Sequence, residues 1–255
     1  MKVVILAGGL GTRLSEETKS IPKPMVRIGN FPIIWHIMKY YSHFNINDFI
    51  ICLGYKGNKI KDFFLNYSMY MSDIKISTKL GLIETTNKKS ENWNIELIET
   101  GLETMTGGRL KKIQHLLGDE DFLMTYGDGL SNVDINELIK FHKYNKKLAT
   151  VTSVVAPSRF GILKLNNNLV ESFKEKPIGK HERINGGYFV LSPKVIDYID
   201  DDKTIWEKGP LENIAKDKQL MAFPHDDFWQ PMDTLRDKEL LESLWNNKEA
   251  PWKIW

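Results

Sequence analysis

The sequence predicts an α/β protein in which helices cover a mostly parallel sheet and the second half is rich in strands. Short β-branched runs alternate with amphipathic helical patterns over the first half of the 255 residues, and this order produces parallel strands. From Ala149 onward, strand patterns dominate. A glycine-rich segment follows the first strand directly, and no linker-like stretch divides the chain.

The first half supplies the alternation of strands and helices. Lys2–Leu6 and Asp48–Leu53 are short apolar runs, which predict buried strands. Pro32–Tyr41 predicts a helix with proline at its start and one apolar stripe, and Asn58–Tyr67 predicts another. Gly8 to Ile21 is polar and rich in glycine, and we expect a loop there.

The rest of the chain is predicted in the same way. Met69–Asn92 has mixed character and is interpreted as a hairpin excursion, and Gly107 and Gly108 open a helix. Asp134 suits the N-cap of the helix that follows it. The other predicted strands are Trp93–Glu99, Phe122–Tyr126, 149–155, 160–165, 169–176 and 188–191. The other predicted helices are Asp134–Asn145, Pro193–Ile199, Pro210–Asp217 and Thr234–Trp245.

Composition excludes several classes of protein. The 35 basic and 33 acidic side chains give a net charge of +2, so a general nucleic-acid binder is not expected. A single cysteine, Cys52, excludes an internal disulfide, and its apolar surroundings predict a buried strand residue. No stretch has the length of a membrane span, and the apolar run after Met1 is too short for a signal segment. We therefore expect a cytoplasmic protein.

Glycines directly after the first strand indicate a phosphate-binding loop. Gly8, Gly9 and Gly11 allow backbone N–H groups to approach a ligand closely. Thr12 adds a hydroxyl donor, and Arg13 can hold a phosphate with two hydrogen bonds. The competing interpretation is a glycine-rich turn without a ligand.

Two other phosphate-binding motifs do not fit this loop. The chain contains no GxxxxGK[ST] string, so a Walker P-loop is excluded. The segment after Gly9 lacks the third glycine of a dinucleotide fingerprint, and prolines follow it. The second strand ends in Leu53-Gly54 without the acidic residue that would bind a ribose. A hydride-transferring enzyme is therefore not expected.

Several strings together resemble the sugar nucleotidyltransferases, the nucleoside-diphosphate-sugar pyrophosphorylases. LAGGLGTRL, starting at Leu6, followed by Pro22-Lys23-Pro24 is specific to that superfamily. Other matching strings are residues 32–39, 106–110, 126–129, 173–177, 185–187 and 228–234. MTGGR, starting at Met105, and FWQPMDT, starting at Phe228, resemble the cytidylyl branch. The similarity covers nearly the whole chain.

This resemblance implies a fold, a reaction and an assembly. The fold is the Rossmann-like nucleotide-diphospho-sugar transferase fold, as one domain over 1–255, with the nucleotide bound by 1–130 and sugar binding and oligomerisation in 131–255. The substrates are CTP and α-D-glucose 1-phosphate, giving CDP-glucose and pyrophosphate. The implied assembly is a homo-oligomer, a hexamer. The sequence departs from the family pattern at Ile21 and in the charged loop 179–183, so the sugar is less well specified than the nucleotide chemistry. The alternatives are the same chemistry with another nucleotide or sugar, and a non-catalytic nucleotide-binding domain.

In-line attack on the α-phosphorus needs positive charge and positioning, and it forms no covalent intermediate. The expected catalytic residues are Lys23, Arg13 and Asp128. The two prolines beside Lys23 keep that segment extended and stiff, whereas the competing interpretation is an exposed loop lysine. By resemblance, Asp128 and Asp233 bind Mg²⁺. The competing interpretations are a turn aspartate and the N-cap of the last helix.

Resemblance also implies the binding residues. For the nucleotide they are Leu6, Ala7, Gly8, Gly9, Leu10, Gly11, Thr12, Arg13, Lys23, Thr104, Met105, Arg109 and Asp128. For the sugar phosphate they are Glu175, Lys176, Asn185 and Gly186. The competing interpretations are a helix start with a surface arginine at 109, a strand-end charge pair at 175–176 and a hairpin turn at 185–186. The apolar tail, residues 251–255, is expected to pack on its own domain rather than in a subunit interface.

Overall fold

The computed structural model describes residues 1–155, 162–166, 169–174 and 183–255. In these residues the strands are β1 (Val3–Leu6), β2 (Arg27–Ile28), β3 (Phe31–Pro32), β4 (Asp48–Leu53), β5 (Asp73–Ser77), β6 (Leu82–Thr86), β7 (Asn94–Glu99), β8 (Phe122–Tyr126), β9 (Gly129–Ser131), β10 (Ala149–Val155), β11 (Ile162–Asn166), β12 (Leu169–Lys174), β13 (Arg183–Leu191), β14 (Leu220–His225) and β15 (Trp229–Pro231). The α-helices are α1 (Ser15–Thr18), α2 (Ile33–His43), α3 (Gly57–Tyr70), α4 (Thr106–Lys112), α5 (Gln114–Leu117), α6 (Ile135–Asn145), α7 (Gly209–Lys216) and α8 (Leu235–Asn246).

A seven-stranded sheet in the order β14-β10-β13-β8-β1-β4-β7 forms the centre of the protein. β1 pairs in parallel with both β4 and β8, and β4 pairs in parallel with β7. β13 is antiparallel to both of its neighbours. The predicted fold class, a mostly parallel sheet covered by helices, is confirmed.

Both faces of the sheet are covered, which explains why β1 is an unbroken apolar run. Val3 and Ile5 belong to the apolar core that α2 and α6 cover. Val4 and Leu6 belong to the opposite core, which α4, α5 and α7 cover. Because side chains alternate along a strand, each face of β1 is buried by a different set of helices.

The segment after β1 is more ordered than the predicted loop. It contains a 3₁₀-helix at Thr12–Leu14 and then α1. The Pro22–Pro24 segment is not extended throughout as predicted, because a second 3₁₀-helix covers Lys23–Met25 and only Pro22 is extended. The fixed φ of proline suits the first turn of a helix as well as an extended chain, so the motif alone did not decide between them.

Most other predictions agree with the structure. β5 and β6 form the predicted hairpin, and Asp134 accepts a hydrogen bond from the Glu137 N–H as an N-cap. The helix predicted from residue 107 is broken at Ile113 into two short helices. Pro193–Tyr198 is a 3₁₀-helix. In the described part of the chain, no helix has the length and apolar character that spanning a bilayer requires.

The C-terminal tail packs on its own domain, as predicted. Trp252 is fully buried, and its ring stacks on Phe228 and on Trp245. Its indole N–H donates to Nδ1 of His36 at 3.3 Å. The other ring nitrogen of His36 lies 2.9 Å from the carbonyl oxygen of Ile28, so His36 connects the tail to the β2–β3 turn.

His36 should make stability depend on pH. Burial is the main cause that lowers its pKa to about 4, against an ordinary value of 6.5. The unfolded chain therefore gains a proton below pH 6.5 that the folded chain does not, and stability should fall by about 3 kcal/mol as the pH falls from 6.5 to 4. Urea unfolding across that range measures this loss. Burial also lowers the pKa of His142, so the slope in wild type has to be compared with that in His36→Gln. Equal slopes would contradict the assignment.

Candidate active site

A pocket of about 360 Å³ opens at the carboxyl ends of β1 and β8. Open α/β sheets place ligands at this edge. Its lining residues come from the glycine-rich loop, the 3₁₀-helix at Lys23, the start of α4 and the loops after β8 and β15. They are Leu6, Ala7, Gly8, Gly9, Gly11, Thr12, Lys23, Pro24, Thr104, Met105, Thr106, Arg109, Tyr126, Gly127, Asp128 and Asp233.

The pocket brings together most of the residues predicted to bind a nucleotide. Leu10 is the exception, because it does not line the cavity and 54 % of its surface is exposed. The side chain of Arg13 lies outside the described part of the structure. Pro24, Thr106, Tyr126 and Gly127 also line the pocket but were not predicted as site residues. Each of them belongs to a matching sequence string, so the signal was present in the sequence.

Lys23 lies between the two predicted metal-binding carboxylates. Its Nζ is 2.7 Å from Oδ2 of Asp128 and 2.7 Å from Oδ1 of Asp233. Only 8 % of Lys23 is exposed. This burial excludes the competing interpretation of Lys23 as an exposed lysine in a loop. Burial lowers the pKa of Lys23, but attraction and hydrogen bonding to the two carboxylates outweigh it and raise that pKa above its ordinary value. The ammonium therefore stays charged at neutral pH.

A short two-stranded sheet brings Asp128 and Asp233 together from distant parts of the sequence. β9 follows Asp128 directly, β15 comes shortly before Asp233, and the two strands pair antiparallel. The N–H of Met232 donates to the Asp128 carbonyl at 2.8 Å. Thr234, and not Asp233, is the N-cap of α8, where it forms a capping box with Asp237. The Asp233 carboxylate is therefore not used as the helix cap.

The geometry of the two carboxylates fits a magnesium site completed by a substrate. Both contact the same nitrogen atom, so they face one small volume within the pocket. Groups of three or more His, Cys, Asp or Glu side chains that could hold a metal do not occur among the described residues. Mg²⁺ commonly takes one or two carboxylates and completes its shell with phosphate oxygens and water. A two-carboxylate site beside a glycine-rich loop meets that requirement.

Arg109 is buried and donates a hydrogen bond to the backbone of the glycine-rich loop. Only 4 % of it is exposed, so it is not a surface arginine. Its guanidinium donates to the carbonyl oxygens of Gly8, Leu53 and Gly101 and to the hydroxyl of Thr100, at 2.6–3.0 Å. A Cβ on Gly8 would lie 2.2 Å from this guanidinium. Gly8 is therefore required by Arg109, whatever the ligand.

Gly9 has a different environment from Gly8. A Cβ built on Gly9 would meet nothing within 4 Å in the described structure. Gly11 has φ of +65°, a backbone conformation that favours glycine. Packing thus explains Gly8 and backbone conformation explains Gly11, whereas Gly9 borders open pocket space. This open space is what close approach of a ligand to the loop requires.

The glycines at the start of α4 allow close contact with residues 202–204. The N–H groups of Met105, Gly107 and Gly108 donate to carbonyl oxygens of Asp202 and Thr204 at 2.8–3.2 Å. A Cβ on either glycine would lie within 2.8 Å of the Asp202 or Thr204 backbone. These three backbone N–H groups already donate hydrogen bonds within the protein. Any hydrogen bond from this turn to a nucleotide base would therefore come from other atoms of the turn.

Only part of the predicted sugar-phosphate site can be placed. Glu175 and Lys176 lie outside the described residues. Asn185 and Gly186 lie within β13, which contradicts the hairpin-turn interpretation. Nδ2 of Asn185 donates to the hydroxyl of Tyr126 at 3.2 Å, so this part of β13 lies beside the pocket.

Comparison with known proteins shows the family to which the chain belongs. The profile of the nucleotidyl transferase family matches residues 2–234, which include all parts of the pocket. The chain belongs to the nucleotidyl transferase family. This nucleotidyl transferase is 56 % identical to the glucose-1-phosphate cytidylyltransferase of Salmonella typhimurium over the full length of both chains. It is 43 % identical to the probable glucose-1-phosphate cytidylyltransferase of Bacillus subtilis, again over both full lengths.

Solved structures of similar proteins share the fold. HddC from Yersinia pseudotuberculosis, solved in complex with GMP-PN, is 25 % identical, with a TM-score of 0.70 over 96 % of this nucleotidyl transferase and 99 % of that chain. A UDP-glucose pyrophosphorylase complexed with UDP-glucose is 17 % identical, with a TM-score of 0.67 over 97 % and 98 % of the two chains. At that identity, the second similarity supports the fold alone.

Proposed function

We propose that this enzyme transfers CMP from CTP to α-D-glucose 1-phosphate, giving CDP-glucose and pyrophosphate. The observation that carries the proposal is the buried Lys23 ammonium between Asp128 and Asp233 in a pocket bordered by the glycine-rich loop. Relatives that match over their full length are named for the same nucleotide and sugar phosphate.

The reaction needs little proton transfer. A phosphate monoester is mostly a dianion at neutral pH, so its oxygen can attack the α-phosphorus of CTP without a general base. The bond between the α-phosphorus and the oxygen that bridges it to the β-phosphate breaks, and pyrophosphate leaves. The main requirements are to hold two anions in line and to offset the charge that develops on the oxygens.

The residues of the pocket can meet these requirements. Lys23 supplies a permanent positive charge to the phosphates, and backbone N–H groups of the glycine-rich loop bind their oxygens. By resemblance to the family, Arg13 would hold the leaving phosphates. Asp128 and Asp233 would hold Mg²⁺, which when bound supplies further positive charge to the phosphate oxygens. By resemblance to the family, Asn185 and Gly186 would lie against the hexose, Glu175 would accept hydrogen bonds from sugar hydroxyls, and Lys176 would hold the sugar phosphate.

A panel of four nucleoside triphosphates against several sugar 1-phosphates, with Mg²⁺, tests the function by pyrophosphate release. We expect the highest kcat/KM for CTP with glucose 1-phosphate. Highest activity with another pair would keep the chemistry and change the substrates. CTP binding without turnover of any pair would contradict the enzymatic function and favour a non-catalytic nucleotide-binding domain.

We also propose that the protein forms a homo-oligomer, with six copies as the family resemblance implies. The end of α3 and the β5–β6 hairpin expose apolar side chains, and these surfaces usually mark contacts with another protein. The register pairs Ile76 with Ile83 on one face of the hairpin, where they are 63 % and 62 % exposed. Leu65 and Tyr70 on α3 are also exposed, by 76 % and 71 %. A second copy of the chain is the occupant we propose for this surface. The proposed contact therefore lies in the first half of the chain, and not in 131–255, where the resemblance implies oligomerisation.

Replacing Ile76 and Ile83 with lysine should reduce the oligomer to smaller species, because charge at the centre of an apolar contact opposes burial. Light scattering after size-exclusion chromatography measures the mass. The matched control replaces Leu169 and Leu240 with lysine. These two side chains are 71 % and 45 % exposed and belong to other elements. A wild type that is monomeric at micromolar concentration would contradict the proposal, as would a hairpin variant that keeps the full assembly.

A further inference from the structure

Glu207 lies behind the pocket wall and accepts hydrogen bonds from two hydroxyls of pocket-lining residues. Oε2 accepts from the Thr106 hydroxyl at 2.7 Å, and Oε1 accepts from the Tyr126 hydroxyl at 2.6 Å. Glu207 itself is not among the lining residues. Since each carboxylate oxygen accepts a hydrogen bond from a different hydroxyl, the carboxylate fixes the orientation of the Thr106 and Tyr126 side chains.

The Thr106 hydrogen bond belongs to the nucleotide side of the pocket. Thr106 is the first residue of α4, directly after the lining residues Thr104 and Met105. Its hydroxyl oxygen also accepts from the N–H of Trp206 at 2.9 Å. The hydroxyl proton is therefore directed to Glu207. The Thr106 hydroxyl thus both donates and accepts a hydrogen bond, and these two contacts fix its orientation.

The Tyr126 hydrogen bond extends to the sugar side. The Tyr126 hydroxyl oxygen accepts from Nδ2 of Asn185 at 3.2 Å, while Oδ1 of Asn185 accepts from the Gly187 N–H at 2.8 Å. A Cβ on Gly187 would lie 2.7 Å from the Tyr126 ring. The ring therefore packs directly on the β13 backbone, and the orientation of Asn185 depends on the phenol that Glu207 holds.

We infer that Glu207 is a positioning residue that sets the nucleotide-side wall through Thr106 and the sugar-side residue Asn185 through Tyr126. This inference rests on the proposed function, because it assigns the two hydrogen bonds to two different substrates. If Glu207 only stabilised the fold, loss of either hydrogen bond would change the KM values of both substrates equally. The two hydrogen bonds can be removed separately, which makes the distinction measurable.

The experiment compares Thr106→Val, Tyr126→Phe and Glu207→Ala, with KM for CTP and for glucose 1-phosphate measured separately. Loss of a hydrogen bond to a charged group typically costs a tenfold change or more. We expect Thr106→Val to raise mainly the KM for CTP by about tenfold, Tyr126→Phe to raise mainly the KM for glucose 1-phosphate, and Glu207→Ala to raise both. Glu207→Gln keeps one acceptor oxygen, so it should restore one of the two KM values.

The matched control is Tyr198→Phe, which removes a 2.7 Å phenol–carboxylate hydrogen bond to Asp217 outside the pocket. It should leave both KM values at the wild-type level. Equal increases in the two KM values for Thr106→Val and Tyr126→Phe would overturn the inference, as would wild-type KM values in Glu207→Gln and Glu207→Ala. If Glu207→Ala does not fold, the other three variants decide. A wild type without turnover would contradict the proposed function and this inference with it.

Discussion

Replacement of Lys23 with methionine should lower the rate of pyrophosphate release about a thousandfold or more. Methionine keeps the length of the side chain but removes the positive charge at the place where two anions must meet. Loss of one preorganised charged donor at a reacting centre costs on the order of 3–4 kcal/mol. The measurement is kcat/KM for CTP and glucose 1-phosphate with saturating Mg²⁺.

Stability gives a second measurement for the Lys23 variant. Removing the ammonium leaves Asp128 and Asp233 facing the same volume without its charge, and like charges close together repel. Addition of Mg²⁺ should therefore raise the melting temperature of Lys23→Met more than that of wild type.

The matched control for Lys23 is Lys39→Met, because Lys39 is a partly buried lysine paired with Glu91 outside the pocket. It should retain wild-type turnover. Activity of Lys23→Met within tenfold of wild type would contradict the role assigned to Lys23.

Replacement of Asp128 with asparagine should reduce turnover by at least about a hundredfold while the fold is retained. Asparagine has almost the shape of aspartate but lacks the negative charge that Mg²⁺ prefers in a ligand. Turnover should also require a higher Mg²⁺ concentration for half-maximal rate, and Asp233→Asn should show the same shift. Kinetics over a range of Mg²⁺ concentrations measures both effects.

The control for the carboxylates is Asp217→Asn, which removes a carboxylate that accepts a hydrogen bond from Tyr198 outside the pocket. Its Mg²⁺ dependence should equal that of wild type. A near-normal rate and an unchanged Mg²⁺ requirement in Asp128→Asn would contradict the assignment of Asp128 as a metal ligand.

The sequence predicted which segments border the candidate pocket better than it predicted the local environment of each residue. Apolar runs and glycines are local signals, so β1, the glycines directly after it and the position of Asp128 after β8 were all predictable. The pairing of β9 with β15, which brings Asp233 to Lys23, joins residues about a hundred positions apart in the sequence, and only the family resemblance indicated it.

Arg109 and Glu207 show what local patterns cannot predict. Arg109 follows two glycines, a pattern typical of an exposed helix start, yet its guanidinium is buried against carbonyl oxygens of three other segments. Glu207 belongs to no motif and lies about eighty residues from Tyr126 in the sequence. Contacts of this kind depend on how distant segments pack, which periodicity and spacing do not contain.

In the proposed reaction, the sugar phosphate attacks the α-phosphorus of CTP in the pocket that contains Lys23. The most direct measurement follows radioactive phosphorus from CTP labelled at either the α- or the γ-position, with glucose 1-phosphate and Mg²⁺. The proposed function predicts that α-label appears in CDP-glucose and γ-label in pyrophosphate, and that Lys23→Met forms neither product at a comparable rate. Transfer of γ-label to the sugar product, or no labelled product from the wild type, would contradict it.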